Sequence, residues 1–476
     1  MIIFIYKKLW WCIMKIPAEL KELAEIFKEN NKTLYIVGGF VRDSYLKIQS
    51  VLRDDIDLCS AATPKELKKI LSGTKFEVKN INESVGVMAI CGNRRYEHAT
   101  FRKEIYESEK HTPDSVEFIT SLEEDSKRRD FKINAIYFDI LAGEYVDPLG
   151  GIRDLKDGKI TTVKVPKIVF NDDPERILRL IRFSCSLGLE IPEEELFYAK
   201  QNAYKIKFIS KYRLRNEFER LLSADEIYPT LLYTSNAHFR AMILLGELNI
   251  WQHIIPEMEN IKKSDIVDDK DERIYEHTLN CLKNASPKIR LAVLLHDAGK
   301  LKTMELRKNF FGSHEFIKVI VEKNLGVNGL GYPKNIVERV IKTIIGYDFN
   351  RFGLASKKSV KKFIFENHDV IENIIEIKTV IKNENKSTLK TNRSARILRN
   401  VYNEMLKAGA PFDRLDLKVR GDDIIRQNPN VRLEKLDTLI DNLLLKAALN
   451  PKINNKETLL VMANKMINSN RSLYLD

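Results

Sequence analysis

The segment from Leu34 to Asp57 constrains the fold more than any other part of the chain. A short apolar run, Leu34-Tyr35-Ile36-Val37, reads as a strand and leads into Gly38-Gly39. Val41-Arg42-Asp43 then opens a helix, and Asp55-Ile56-Asp57 closes the segment on what reads as the next strand. Two adjacent glycines let the backbone turn tightly and let a phosphate reach the main chain without meeting a Cβ. Arg42, one turn into the helix, can offer a fork of N–H donors to a triphosphate. Asp55 and Asp57 stand two apart, so on a strand both carboxylates project from one face. Hard oxygen ligands on one face suit a pair of Mg2+ ions clamping an in-line phosphoryl displacement.

A glycine pair alone is a turn, and a D-x-D alone is a solvated strand end. Strand, glycine pair, arginine one turn later and D-x-D on the next strand, in that order, resemble the active-site opening of the polymerase-β-like nucleotidyltransferases. The 476 residues are too many for one core, so several domains are expected. With 44% hydrophobic and 31% charged residues the composition is that of a globular chain and excludes a disordered one. A net charge of +12 favours a polyanionic partner, nucleic acid first.

The five cysteines (Cys12, Cys59, Cys91, Cys185, Cys281) are odd in number and scattered without a C-x-x-C. That usage suits the reducing cytoplasm and argues against a cysteine-based zinc site. No apolar run approaches the roughly 20 residues that span a bilayer, so no membrane association is expected. The opening MIIFIYKKLWWCIM lacks the apolar core and cleavage site of a signal peptide, and Met14 begins a normal amphipathic helix. Residues 1–13 therefore read as an extension or a mis-called start.

After the first helix (about 17 to 30) and the opening segment, Thr63-Pro64-Lys65-Glu66 is a capping box with proline at the first helical position. Strand-like runs follow at Phe76–Lys79, Val87–Cys91 and Arg95–Phe101. Glu97, on the last of these, is the candidate third carboxylate, with an exposed surface pair as the equal alternative. From Arg102 to Pro113 no apolar periodicity is present, and the segment reads as a mobile loop. A strand at Ser115–Ile119 and a second capping box, Ser121 with Glu124, start a helix carrying Lys127 to Ala135. On it Arg129 can pair with phosphate, while Asp130 and Asn134, one turn apart, can hold ribose hydroxyls.

The turn-rich stretch Asp147 to Leu155 ends the sheet domain, and beyond it the pattern is almost wholly helical. Asn171-Asp172-Asp173-Pro174-Glu175-Arg176 reads as a well-specified helix start. Asp173 and Arg176, at i and i+3, can face one base together. A carboxylate beside a guanidinium fits the Watson–Crick edge of cytosine and adenine and leaves both groups unpaired against uracil or guanine. Arg179 continues the row, whereas Arg182 lies roughly opposite Asp173 on the helix.

GGFVRD, DID, ATFRKE, SLEEDSKRRDFKINAI, DPLGGIRDL and DDPERILRLIRF, in this order and spacing, resemble the bacterial class II tRNA nucleotidyltransferase and poly(A) polymerase family over about residues 34 to 187. The resemblance implies that Asp55 and Asp57 hold Mg2+. It further implies that Gly39, Arg42, Arg129, Asp173, Arg176, Arg179 and Arg182 bind or select nucleotide. Departures are Asp172 where Glu is usual, Lys132 where Thr usually follows RRDF, and Tyr212 where Glu is common. The implied activity is template-independent addition of CCA to the tRNA 3′ end from CTP and ATP with release of pyrophosphate. One pocket would accept C twice and then A, with the 102–113 loop moving. A poly(A) polymerase, or a partial A- or C-adding enzyme, is the alternative.

Further on, His277, then His296-Asp297, then His314 lie on helices and resemble the HD-type metal phosphohydrolases. His277, His296 and Asp297, with Asp348 at a later helix end, form a second candidate set for a transition metal, Ni2+ or Mn2+. A degenerate fold that only packs helices is the equal alternative there. An HD phosphohydrolase with an RNA-binding head is the reading of another class. The last part is Lys- and Asn-rich, and Leu417 to Ile424 is similar to the family's tail, which would hold the tRNA elbow through phosphates.

The expected fold is an α/β head of polymerase-β-like type, a small mixed sheet with helices, followed by an all-helical neck, HD-like body and tail. The expected boundaries are 14–150 for the head, 151–225 for a nucleotide-selecting neck and 226–273 for a helical body and linker. An HD-like domain at 274–350 and a tRNA-binding tail at 351–476 complete the chain. No obligate protein partner is inferred.

Overall fold

The computed structural model describes residues 14, 16–48, 56–106, 113–231, 234–267, 272–308, 312–348, 356–383, 393–470 and 474. The 1–13 extension, Asp55 and the 107–112 part of the expected loop lie outside them. The chain forms two compact units: residues up to Asp265 with Val327–Gly331, and Ile266–Gly326 with Tyr332–Asp476.

In the first unit, α1 (Ala18–Glu29) puts Leu20, Leu23, Ala24 and Phe27 on one buried face, as the 3.6-residue period requires. It leads into β1 (Tyr35–Val37), α2 (Gly39–Leu46), β2 (Asp57–Ser60), α3 (Pro64–Ile70), β3 (Glu77–Asn82), β4 (Val87–Cys91) and β5 (Arg95–Thr100). Then come β6 (Arg102–Ile105), β7 (Ser115–Phe118), α4 (Leu122–Ser126), β8 (Tyr137–Asp139) and β9 (Glu144–Val146). The main sheet has seven strands in the order β3-β4-β5-β2-β1-β8-β9. All its neighbours are antiparallel except β2 and β5, which run parallel with Asp57 opposite Glu97.

The capping box at α3 forms as read: Glu66 N donates to Thr63 Oγ1 at 3.3 Å and Thr63 N to Glu66 Oε2 at 2.9 Å. At α4 only half of one forms. Ser121 Oγ accepts from Glu124 N at 3.2 Å, while the Glu124 carboxylate pairs with Lys127 instead.

Three local expectations are corrected. Arg102–Ile105 is a strand, paired with β7, and not loop. Its period was hidden because the half-buried face carries charge: Arg102 and Glu104 pair with each other and with groups on and after α4. The helix from Ser121 stops at Ser126, and Lys127 to Ala135 is a turn followed by a 3-10 turn at Lys132–Asn134. There the main chain is captured from afar: Lys132 N donates to Thr161 O at 3.0 Å and Val163 N to Asp130 O at 3.2 Å. Asn171 and Asp172 end one helix, α6, and do not begin the next. Asp173 is extended, and its Oδ1 accepts from Glu175 N at 3.1 Å, so the cap falls later than read.

The helical remainder of the first unit is α5 (Gly151–Asp157), α6 (Pro166–Asp172), α7 (Glu175–Leu187), α8 (Glu193–Asn202), α9 (Lys211–Leu222), α10 (Ala237–Glu247), α11 (Trp251–Ile254) and α12 (Pro256–Lys263). Helix α7 buries Ile177, Leu178, Leu180 and Ile181 and presents Arg176 and Arg179 to the turn that follows α4. Trp251 is fully buried with its ring edge-on to Phe218.

The second unit is helical, beginning with α13 (Ile274–Lys283), α14 (Arg290–Leu295), α15 (Ala298–Arg307), α16 (His314–Leu325) and α17 (Lys334–Asp348). Further helices run from Lys357 to Ser469 around two apolar clusters, one centred on Ile364, Ile371 and Leu398 and one on Ile424, Leu443 and Leu459. Among the described residues no helix is long and apolar enough to cross a membrane.

Candidate active site

Gly38 adopts φ +84°, a conformation that a side chain at this position would strain, and a Cβ there would stand 3.5 Å from Asp57 Oδ2. The glycine turn and the second aspartate of D-x-D are thus in direct apposition. Alternation along β2 places Asp57 and Cys59 on one face and Leu58 and Ser60 on the other. Glu97 shares the face of Asp57 through the parallel register, although it does not line the cleft described next. Asp55 lies outside the described residues.

This turn lines a cleft of about 760 Å³, within the first unit, that α7 and α9 line as well. Gly39, Arg42, Asp57, Arg129, Asp130, Asn134, Asp173, Arg176, Arg179 and Arg182 all line it. Among the described residues the wall carries nine arginines against six carboxylates, a positive balance suited to a polyphosphate.

Each arginine is held by neighbours. Buried Arg42 donates from Nε to Asp43 (2.8 Å), from Nη1 to Asn134 Oδ1 (2.5 Å) and from Nη2 to Tyr228 OH (2.6 Å). Tyr228 in turn donates to Asp43 at 3.0 Å. Asn134 Nδ2 donates to Asp130 Oδ1 at 3.1 Å, and Asp130 Oδ2 accepts from Arg179 Nε and Nη2 at 2.8 and 2.6 Å. Burial would raise the Asp130 carboxyl, but Arg179 and the bonds from Asn134 and Phe131 outweigh it and hold it down at about 2. Asp130 and Asn134 are therefore a bridge between the glycine-turn helix and α7 as well as cleft wall.

Arg129 donates to Tyr137 OH at 3.0 Å and to Asp125 Oδ2 at 3.3 Å, with its guanidinium over the Tyr137 ring. Asp173 and Arg176 both reach the cleft, but each has another partner. Asp173 Oδ2 accepts from Arg213 at 2.7 Å, and Arg176 Nη2 donates to the Arg128 carbonyl at 2.9 Å. Arg182 on α7 turns to Glu217 at 2.5 Å, and burial lowers its pKa.

The sequence reading missed Arg128, Glu104, Arg213 and Tyr228. Burial would raise the Glu104 carboxyl, yet Arg128 and Arg102 outweigh it and hold it below the usual range. Arg213, next to the departing Tyr212, pairs with both Asp173 and Glu175. Its signal was the basic run Lys211-Tyr212-Arg213-Leu214-Arg215 at a helix start, where cations are disfavoured by the dipole and so want another partner.

In the second unit His277, His296 and Asp297 come together: Asp297 Oδ2 lies 3.9 Å from His277 Nε2 and 3.4 Å from His296 Nε2. Asp348 is the last residue of α17, and its side chain lies outside the description.

Comparison with known proteins bears on the cleft. Residues 34–161 match the family described as the poly A polymerase head domain. A CCA-adding enzyme of Ligilactobacillus salivarius is 36% identical over 213 residues, 44% of this chain and 51% of that protein. One of Lactococcus lactis is 34% identical over 232 residues, 47% of this chain and 56% of that protein. The chain spans about half the length of the curated relatives it matches. Among solved structures, the Bacillus stearothermophilus CCA-adding enzyme in complex with CTP superposes with a TM-score of 0.64 at 20% identity, over 95% of this chain and 98% of that one. The Thermotoga maritima CCA-adding enzyme complexed with tRNA CCA gives 0.52 at 18% identity, over 95% and 96%. At such identities the likeness is one of fold, and it bears out the α/β head with a helical remainder.

Proposed function

We propose, from a chain whose residues 34–161 match the family described as the poly A polymerase head domain, that it is a template-independent tRNA nucleotidyltransferase completing the 3′-CCA end from CTP and ATP. The observation that carries the reading is the cleft itself. Its lining includes the glycine turn with Asp57, which suits a triphosphate, and the carboxylate and guanidinium of Asp173 and Arg176, which suit a base edge. The CCA-adding relatives, and the CTP, ATP and tRNA named for the solved structures, support the same substrates.

Nucleotidyltransferases of this family use divalent metals. The hard carboxylate of Asp57, against a glycine turn that leaves room for phosphate oxygens, fits Mg2+, with Asp55 as the second ligand and Glu97 as the third carboxylate. When bound, the metal pair lowers the pKa of the primer hydroxyl and neutralises the departing pyrophosphate. The chain supplies the rest. Gly39 and the α2 N-terminus receive phosphate oxygens, Arg129 and Arg42 flank them, and Asp130 and Asn134 face the ribose. Asp173 and Arg176 read the amino donor and ring-nitrogen acceptor shared by cytosine and adenine, with Arg213 holding Asp173 in place. Arg179 and Arg182 keep the α7 side of the cleft positive. Lysine- and arginine-rich helices in the second unit would hold the tRNA elbow through its phosphates.

The test supplies tRNA trimmed of its last three nucleotides with labelled CTP, ATP or both. Addition of C, C and A followed by a stop is expected, and Asp57→Ala should abolish it. A ladder of A would indicate a poly(A) polymerase, addition of C or A alone a partial enzyme, and no addition would refute the reading.

A further inference from the structure

Tyr228 lies on the turn segment between α9 and α10, yet it lines the cleft. That segment is fixed in place: Asp225 Oδ2 lies 3.1 Å from Nδ1 of buried His238 on α10, and Glu226 N donates to Ser223 O at 2.9 Å. Tyr228 is buried, and its hydroxyl accepts from Arg42 Nη2 at 2.6 Å and donates to Asp43 Oδ2 at 3.0 Å. Arg42 Nε donates to Asp43 Oδ1 at 2.8 Å, which closes a triangle of three side chains. Burial, with the Asp43 charge, pushes the phenol up to about 12 against the pull of Arg42, so the hydroxyl keeps its proton. A phenylalanine would fill the same space and make none of these bonds.

The triangle continues into the part of the wall assigned to the sugar. Arg42 Nη1 donates to Asn134 Oδ1 at 2.5 Å, and Asn134 Nδ2 donates to Asp130 Oδ1 at 3.1 Å. A guanidinium only donates and a carboxylate only accepts, so the Asn134 amide has one orientation. Its oxygen and one of its N–H bonds are used, and the second N–H has no protein partner among the described residues. Asp130 is engaged on both oxygens, by Asn134 and Phe131 N on one and by Arg179 on the other. The remaining Asn134 N–H is therefore the donor that this part of the wall offers to a sugar hydroxyl. Arg42 sets its place and is itself closely packed. The Phe183 ring lies 5.1 Å from its Cζ, and a Gly39 Cβ would stand 3.6 Å from its Nη2.

We infer that Tyr228 is a positioning residue for ribose recognition: its hydroxyl seats Arg42, and through Arg42 the Asn134 N–H that donates to a hydroxyl of the incoming nucleotide. The inference rests on the nucleotidyl transfer proposed above and adds how a ribonucleotide is told from its deoxy forms. Without the phenol oxygen, Arg42 Nη2 is left with Asp43 Oδ1, 2.7 Å away, and the guanidinium is drawn toward that carboxylate and off Asn134. A site built to bond a hydroxyl rejects the analogue lacking it because its own polar group is left unpaired. A loosened donor gives up that discrimination. Asp173 and Arg176 are held by Arg213 and the Arg128 carbonyl, so base choice does not pass through Tyr228.

The test compares kcat/KM for CTP and for 2′,3′-dideoxy-CTP in the first addition to trimmed tRNA. Tyr228→Phe should lower the preference for CTP by about tenfold, the scale of one lost hydrogen bond. The 2′-deoxy and 3′-deoxy forms tell which hydroxyl is held. The choice of CTP over UTP and the circular dichroism should stay as in wild type. In an Asn134→Ala background the preference should already be low and Tyr228→Phe should leave it unmoved, because both changes act on one donor. Should Tyr228→Phe fail to fold, Asp43→Asn opens the triangle at another corner and carries the same expectation. An undiminished preference in the folded variant, or a further fall in the Asn134→Ala background, would overturn this inference alone, with C, C and A addition by wild type still standing. A wild type that adds no nucleotide would overturn it together with the proposed function.

Discussion

Replacing Asp130 by Asn isolates what its charge contributes, because the amide keeps the shape and can still accept from Phe131 N and Arg179. Held at about 2 in the folded chain against an ordinary value of 3.8, the carboxyl contributes about 2 kcal/mol at neutral pH, since each unit is about 1.4 kcal/mol. The sign follows from proton uptake. A depressed carboxyl stabilises above its unfolded pKa and loses that contribution as pH falls through its folded value. Wild type should therefore exceed Asp130→Asn by about 2 kcal/mol at pH 7, by about half of that at pH 3, and by almost nothing near pH 2. Urea titrations followed by tryptophan fluorescence read the correct unit, because Trp251 is buried in it beside Phe218. Equal stability at pH 7, or a gap that stays constant between pH 5 and pH 3, would show that the Arg179 pair does not hold the carboxyl down.

Gly38→Ala must place a side chain at φ +84° and against Asp57, so it should cost about 1 to 3 kcal/mol in a urea titration and lower nucleotide incorporation with it. Glu195 is the opposite of Asp130. Burial raises it to about 7, against the lowering bonds from Thr162, so the first unit should lose stability as pH rises from 4.5 to 7. Glu195→Gln should flatten that part of the pH profile, and an unchanged slope would exclude Glu195 as its source.

What could be read from the sequence was governed by distance along the chain. The Thr63–Glu66 box, the glycine turn and the β4 boundaries depend on residues within a few positions, and they stand as read. The turn at Lys127 to Asn134 reads as helix locally and is overruled by hydrogen bonds to Thr161 and Val163. Arg102–Ile105 has no apolar alternation because its buried partners are charges brought in by the segment around α4. The same reasoning explains the site. Residue types at Arg42, Asp130 and Arg176 pointed to the cleft, but their partners, Tyr228 for Arg42 and Arg179 for Asp130, come from 186 and 49 residues away.

The prior engagement of every cleft arginine has a consequence for how that wall can be altered. On the function proposed above, an arriving triphosphate would trade places with carboxylates already seated on the guanidiniums, so binding would be an exchange whose strength depends on where the displaced acids go. Deleting Arg213 alone would take from Asp173 and Glu175 the cation that they share, leaving two acids to repel each other and to shift where a base edge is to be read. Deleting an arginine together with its acid removes that repulsion. Single substitutions along this wall will not sum to the multiple ones, and the natural unit of redesign is the couple.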